Sequence, residues 1–346
     1  MSEKQNFLRL LRQLILLVIV LIICVVGSAT FFISHAIGII TLEKVTIAKA
    51  GFSASKKSVV KEANRSLWQP PDSSSIPASE AGELIRYGWE LVTHTSVYLG
   101  PKGKVKAISN GMNCQNCHLQ AGTVPFGNNY GKVASTYPKL RQRSGIVEGF
   151  KKRVNDCIER SLNGQKLEED SREMQAMVAY IKWVGKDVTP SDTLKGFGLL
   201  DLPLLNRPAN PQKGKTVYDT QCSRCHGKDG EGVLAVDSLE YIYPPLYGKH
   251  SYNTGAGLYR ISKFAAFVKA NMPYGVSFDK PLLTDEEAWD VAAYINSMPR
   301  PEKNLSADWP DISKKPFDHP FGPYVDRYSE EQHKYGPFRE IIATKK

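Results

Sequence analysis

Cysteine is scarce in this chain, six in 346 residues, and strand-like alternation of apolar and polar residues is scarce as well. No block of lysine or arginine stands out, although the formal net charge is +10. A positive charge spread this evenly argues against a nucleic-acid-binding arm and suits anionic small substrates or partners. The lack of strands argues against an α/β redox fold, in which a Cys-x-x-Cys pair follows a strand. Hydrophobic residues make up 42% and charged residues 23% of the chain, so compact cores can form. The length suits two or three domains.

The one long apolar run lies near the start. Lys4, Arg9 and Arg12 precede Leu14–Ile33, "LILLVIVLIICVVGSATFFI". At helical rise this run spans the ~30 Å core of a bilayer, and the basic residues before it place the body outside the cytoplasm. "GSA" at Gly27–Ala29 resembles a signal-peptidase site, but the apolar character continues to Ile40 and favours an uncleaved anchor. Cys24 lies within the run and reads as apolar filler. The expectation is a single-pass protein of the bacterial inner membrane with a periplasmic body.

Organisation along the chain follows from composition and periodicity. Residues 1–12 read as a cytoplasmic N-terminus, 13–36 as a transmembrane anchor and 37–80 as a Ser- and Pro-rich linker. Residues 81–190 form a first unit, 191–212 a second linker, 213–300 a second unit and 301–346 a C-terminal extension that wraps over the surface. The two units are an internal repeat. Each has a helix, then Cys-x-x-Cys-His, then a long middle, then a helix ending in Ala-Tyr-Ile. The fold class expected is all-α, two similar small domains in tandem behind an N-terminal transmembrane helix.

Four of the six cysteines are in Cys114-Gln-Asn-Cys117-His118 and Cys222-Ser-Arg-Cys225-His226. Cys-x-x-Cys-His is the attachment pattern for haem c. The thiols form thioethers to the haem vinyl groups, and the adjacent histidine ligates the iron. A zinc site needs four ligands, usually from two such pairs, and here the pairs sit in separate repeats. Two covalently bound haem c groups are therefore expected, with His118 and His226 as proximal ligands. The units resemble class I cytochrome c domains, in which "QKGKTVYDTQCSRCHGKDGEG" and "LTDEEAWDVAAYINSMP" would be the first and last helices. His94, His250, His319 and His333 show no ligand spacing and read as surface or core histidines.

Each iron has a second axial position. In the second repeat "KANMPYGVSF" offers Met272, with Met298 of the terminal helix as competitor. Met272 lies 22 residues before Tyr294 of Ala-Tyr-Ile; the same step back from Tyr180 lands on Ile158, beside Cys157. The lone cysteine of the folded part thus falls where the other repeat keeps its ligand. Met174 and Met177 are rivals out of register, and a small buried packing residue is the plainest alternative for Cys157. A thiolate ligand favours Fe(III) and lowers the potential, whereas a thioether raises it. Electrons would then enter at the first haem and leave through the second.

Arg141, Arg143, Lys151, Lys152, Arg153 and Arg160 surround Cys157 in sequence. On a helix Arg153 lies one turn before Cys157 and Ser161 one turn after, on the same face. A small oxyanion suits such a setting, while Lys151 and Lys152 read first as a solvated face. "NCQNCHLQAG", "YPKLRQRSG" and "CIERSLNG" followed by "MQAMVAYIKWV" resemble the thiosulfate dehydrogenases, dihaem c-type enzymes that couple two thiosulfates to tetrathionate. Some members run better as tetrathionate reductases. The resemblance implies that Cys157 is both haem ligand and catalytic sulfur, leaving iron to bond a thiosulfate. It also implies that Arg143, Arg153, Ser161 and Gln120 contact substrate and that a cytochrome or other redox protein accepts the electrons. The chain departs from that family in its N-terminal anchor and at Asn271, where some members place a lysine that ligates the second haem. Two other readings stay open on sequence: a membrane-tethered dihaem carrier without catalysis, and a sulfur-transfer cytochrome.

Overall fold

The computed structural model describes residues 67–345, together with Leu16, Val18, Ile19, Leu21 and Ile22, which are helical and exposed. Most of the expected anchor therefore lies outside the described residues. Among the described residues no helix is long and apolar enough to cross a membrane.

From Leu67 onward the chain is helix-rich and holds two hydrophobic cores, one per repeat. In the first, α1 (Glu80–Thr93) is capped by Ser79, whose hydroxyl accepts from the Gly82 amide. A two-stranded ribbon, β1 (Lys139–Arg141) and β2 (Ile146–Glu148), precedes α2 (Phe150–Arg160). The repeat closes with α3 (Arg172–Val184), capped by Ser171. The second repeat has α4 (Pro211–Val217), entered by Asn210 and proline at the first turn. A small ribbon follows, β3 (Val233–Leu234) and β4 (Tyr241–Tyr243), then α5 (Ile261–Asn271) and α6 (Asp285–Ser297). Thr284 and Glu287 form a capping box at the start of α6.

One crossing shows the repeat in three dimensions. A Cβ added at Gly88 of α1 would run into the Ala176 carbonyl and the Tyr180 Cβ of α3. A Cβ added at Gly214 of α4 would run into the Asp290 carbonyl and the Tyr294 Cβ of α6. In both repeats the first and last helices approach so closely that only glycine fits, opposite the same tyrosine.

Three stretches differ from the sequence reading. The end of the expected 37–80 linker is packed: Trp68 is buried, donates its main-chain amide to the Lys195 carbonyl and meets Phe197 at 5.9 Å. The expected 191–212 linker is ordered by backbone pairing rather than by side-chain periodicity. Gly196 and Gly198 accept the amides of Phe126 and Asn128, and Asn129 donates to the Gly196 carbonyl. The extension is no surface wrap: it adds α7 (Glu330–Tyr335) and α8 (Arg339–Thr344), and buries Phe338 and Ile341 in the second core.

The two repeats are joined by named contacts. Glu240, between β3 and β4, takes hydrogen bonds from Asn113 at 2.9 Å and meets His94 at 3.0 Å. Asn271 donates to the Phe126 carbonyl at 3.1 Å, and Phe126 meets Phe278 at 4.9 Å. His333 is buried between the Phe317 carbonyl and Asp326, a core histidine.

Candidate functional site

A chamber of about 430 Å³ opens in the first repeat. That size lies within the range of cofactor and small-molecule pockets. Cys114, Cys117 and His118 line it from a short 3-10 turn, Cys114–Asn116, and the two residues after it. Phe150, Arg153, Val154, Cys157, Ile158, Ser161 and Leu162 line it from α2 and its C-terminal turn, at the three- and four-residue spacing of one helix face. Met177 and Ile181 of α3, with Phe197 and Gly198 of the packed connection, complete the apolar part.

The histidine is prepared for a metal. Its Nδ1 faces the Asn128 carbonyl at 2.5 Å, and a carbonyl only accepts, so Nδ1 carries the hydrogen and Nε2 the lone pair. Burial pushes the His118 imidazole down to about 4, which keeps it neutral. Its ring stacks on Tyr130 at 4.6 Å. Burial also pushes the Cys114 and Cys117 thiols up to about 11 and about 12, as expected for sulfurs in an apolar wall. These residues would fit a haem c, with Cys114 and Cys117 as the sulfurs for the vinyl groups and His118 as the imidazole for iron, and Cys157 lies on another wall of the same chamber.

The second repeat reproduces the proximal half. His226 Nδ1 donates to the Pro244 carbonyl at 2.8 Å, and burial lowers its pKa and raises Cys222 to about 12. Cys225 is half-buried on the same short helix. Met272 is the residue on which α5 ends, and it packs against the second core together with Cys222 and Met298. Lys269, the nearest lysine before it, is tied to the Leu283 carbonyl and to Asp285, each at 2.7 Å.

Charge separates the walls of the first chamber. Lys132, Lys139, Arg141 and Arg153 line it, and no aspartate or glutamate does among the described residues. Arg153 makes no side-chain hydrogen bond or ion pair among the described residues; its pKa is raised, chiefly by the charge of Cys157 one turn away. Lys139 is pushed down by burial and then by Arg141 and Arg153, so these cations repel one another. The other basic residues near Cys157 are satisfied. Lys151 pairs with Asp170, Lys152 with Asp156, and Arg160 with Asp308.

Two expected substrate residues are placed elsewhere. Arg143 does not line the chamber: it donates to the Gly255 carbonyl at 3.1 Å, approaches Asp308 at 3.9 Å and stacks on Trp309. The extension, whose contacts local periodicity does not encode, claims it. Gln120 is exposed on a left-handed turn with φ 49° and is also absent from the chamber wall. Arg153 and Ser161 do line it. Sequence reasoning missed Lys132, Lys139 and Tyr130, and gave Arg141 no role of its own. The only signal for the β1 pair was the three-residue alternation Lys139-Leu140-Arg141, in which Leu140 is exposed and its two neighbours turn inward.

Comparison with known proteins bears on the two repeats and on the family. A family model described as "SoxA/TsdA, cytochrome c domain" matches residues 104–189, and one described as "Cytochrome c" matches residues 211–299. The thiosulfate dehydrogenase of Psychrobacter arcticus is 36% identical over 70% of this chain and 71% of its own length. That of Allochromatium vinosum is 34% identical over 67% of this chain and 83% of its own. A solved structure, thiosulfate dehydrogenase (TsdBA) from Marichromatium purpuratum in its "as isolated" form, superposes with a TM-score of 0.64 at 32% identity. It is matched over 71% of this chain, which spans about half, 52%, of the length of that one. With a cytochrome c model on each repeat and this identity across more than two thirds of its curated relatives, the chain is a two-haem c-type cytochrome that belongs to the thiosulfate dehydrogenase family.

Proposed function

We propose that this protein joins two thiosulfate ions into tetrathionate in the first chamber, with Cys157 as the reacting sulfur. The observation that carries this reading is Arg153, a cation without a protein partner among the described residues, one turn from Cys157 in a chamber lined by cations and no carboxylate. At ~5 Å and an effective dielectric of ~20, a thiosulfate dianion and a monoanion, the Cys157 thiolate or its thiosulfate adduct, repel by about 7 kcal/mol, and one cation at that distance from the dianion returns about as much. One inward-facing cation is therefore the minimum for such a site, and Arg153 and Arg141 with Lys139 exceed it. The Ser161 hydroxyl adds a donor on the Cys157 face.

The chemistry balances in two steps. The Cys157 thiolate and one thiosulfate form a sulfur–sulfur bond, giving Cys–S–S–SO3⁻ and releasing two electrons. A second thiosulfate attacks that bond, tetrathionate leaves, and the thiolate returns. Bound haem c at the two repeats supplies the pair of one-electron acceptors this balance needs and the exit to an external redox protein. Cys117 and Leu119 pack against the core of the second repeat, which supports an electron path in that direction. Thiol exchange runs both ways, so tetrathionate reduction uses the same groups in reverse. In the second repeat His226 and Met272 would hold the iron. The same reading makes the protein a periplasmic body tethered to the inner membrane through the apolar run Leu14–Ile33, which carbonate extraction of cell membranes would test.

The decisive experiment mixes purified holoprotein with thiosulfate and ferricyanide and measures tetrathionate, comparing wild type with Cys157→Gly. Loss of product in the variant, with the second haem intact, is the expected result. Unchanged turnover would remove Cys157 from the chemistry.

A further inference from the structure

Cys157 sits in the last turn of α2, three residues before its end at Arg160. The last carbonyls of a helix have no partner within it, and such ends fray unless something else holds them. Here the following turn holds the Cys157 and Ile158 carbonyls, through the Ser161 and Gly164 amides, and the other repeat holds the last two. Asn253 donates its side-chain amide to the Glu159 carbonyl at 2.8 Å and its main-chain amide to the Arg160 carbonyl at 3.0 Å. The same side chain reaches the Asn163 Oδ1 at 2.9 Å, on the turn that follows the helix. Arg160 is gripped by both carboxylate oxygens of Asp308, at 2.7 and 2.8 Å.

These groups are built in. Asn253 is 1% exposed, and the Arg160 and Asp308 side chains are 13% and 9% exposed. A Cβ at Gly255 would press on the Arg160 guanidinium, so the loop after Asn253 is fitted to that side chain. Asp308 belongs to the extension, which is strapped back by the Trp309 amide on the Arg143 carbonyl. Asn253, Arg160 and Asp308 do not line the chamber. Whatever they do for Cys157 they do through the helix end.

We propose that Asn253 and Asp308 are positioning residues for Cys157. The second repeat and the extension fix where the Cys157 sulfur stands in the chamber, and so how firmly it serves as an axial ligand. A helix end anchored by its own domain would keep its place whatever the second repeat did. Here the Cys157 and Ile158 carbonyls are closed locally by the Ser161 and Gly164 amides, and the last two carbonyls and the Arg160 side chain take their anchors from residues 253 and 308. The inference rests on the reading of Cys157 as ligand and reacting sulfur, given above.

The test uses the full-length holoprotein with Asn253→Ala, Asp308→Asn and Asp308→Glu. The readouts are the thiolate-to-ferric-haem charge-transfer band and low-spin resonance signal of the first haem, the spectrum of the second haem, the thermal midpoint, and kcat and KM separately. Asn253→Ala and Asp308→Asn are expected to split the first-haem signal into a second species and lower kcat about ten- to a hundredfold, as displacements near 1 Å do. KM and the second-haem spectrum are expected to hold, and Asp308→Glu to restore the native signal. A native first-haem signal in both Asn253→Ala and Asp308→Asn overturns the proposal. So does a drop in thermal midpoint with the two haems changing together, which marks an interface that only docks the repeats. Absence of a thiolate signal in wild type, or its survival in Cys157→Gly, would instead overturn the underlying reading of Cys157.

Discussion

The two repeats share a frame and differ in one helix. Both cross their first and last helices at a glycine set against a tyrosine, Gly88 on Tyr180 and Gly214 on Tyr294. Both orient the proximal histidine by a main-chain carbonyl, Asn128 in one and Pro244 in the other. The middle helix is where they part. In the second repeat α5 stops at Met272, and its neighbours Ala270 and Asn271 are buried, the amide of Asn271 being spent on two carbonyls. In the first, α2 runs on past Cys157 and turns a cation and a hydroxyl toward the same chamber. On the reading proposed above, the scaffold sets where a sulfur ligand stands, and the charge around that sulfur sets whether it only carries electrons or also reacts.

Cys157→Met is the substitution that erases the difference, giving both repeats a thioether. Turnover of thiosulfate should fall by at least about 10³-fold, since no other group replaces the nucleophile. The potential of the first haem should rise toward that of the second, because a neutral thioether no longer stabilises Fe(III). Spectroelectrochemical titration of both haems reads the second effect independently of activity. A variant that still turns over would mean that the sulfur's charge is irrelevant to the reaction.

Arg153→Ala leaves the ligand and removes its electrostatic setting. Loss of one donor at a developing charge costs about 10²–10³ in rate, or about 2.7–4 kcal/mol. The fall should appear in kcat/KM for thiosulfate while the first haem keeps its thiolate signal. Arg153→Lys should recover only part, because an ammonium lacks the guanidinium's planar fork of donors. Equal loss of the thiolate signal would instead make Arg153 a support for the ligand.

Much of this comparison was legible in sequence, for local reasons. Both Cys-x-x-Cys-His motifs, the Ser79 and Ser171 caps and the face shared by Arg153, Cys157 and Ser161 depend on residues within two turns of one another. What was not legible depends on contacts distant in the chain. Phe197 and Gly198 looked like linker and instead wall the chamber. Phe338 and Ile341 looked like tail and instead fill the second core. Gln120 sits just after the motif, but its left-handed backbone places it among exposed residues. The placement of Arg143 was not legible for the same reason, since Gly255 and Asp308 lie far along the chain.

The shared frame itself can be tested at the crossings. Gly88→Ala and Gly214→Ala each force a methyl into a carbonyl and a tyrosine, so each should destabilise the fold by about 1–3 kcal/mol. Denaturant titration with both haems attached would measure the loss. If the frame is one design used twice, the two variants lose similar stability and keep their axial signatures. A tolerated alanine at one position only would break the equivalence of the crossings.

The finest contrast lies within the first repeat, between Arg141 and Arg143, two residues apart on β1 and its turn. Arg141 lines the chamber and has only a long contact, 3.9 Å, to Glu148. Arg143 is turned to the Gly255 carbonyl and Asp308. Arg141→Ala should therefore raise KM for thiosulfate about tenfold, near 1.4 kcal/mol, with kcat and stability little changed. The KM penalty should shrink as salt screens the anion. Arg143→Ala should do the reverse, lowering stability by about 1–3 kcal/mol, because the buried Gly255 carbonyl keeps only its longer bond from Arg160 and Asp308 loses a neighbouring cation, and leaving KM in place. If KM responds instead to Arg143, the second thiosulfate enters along the seam between the repeats rather than over the β1–β2 ribbon, and the cationic wall of the site extends further toward Asp308 than the chamber does.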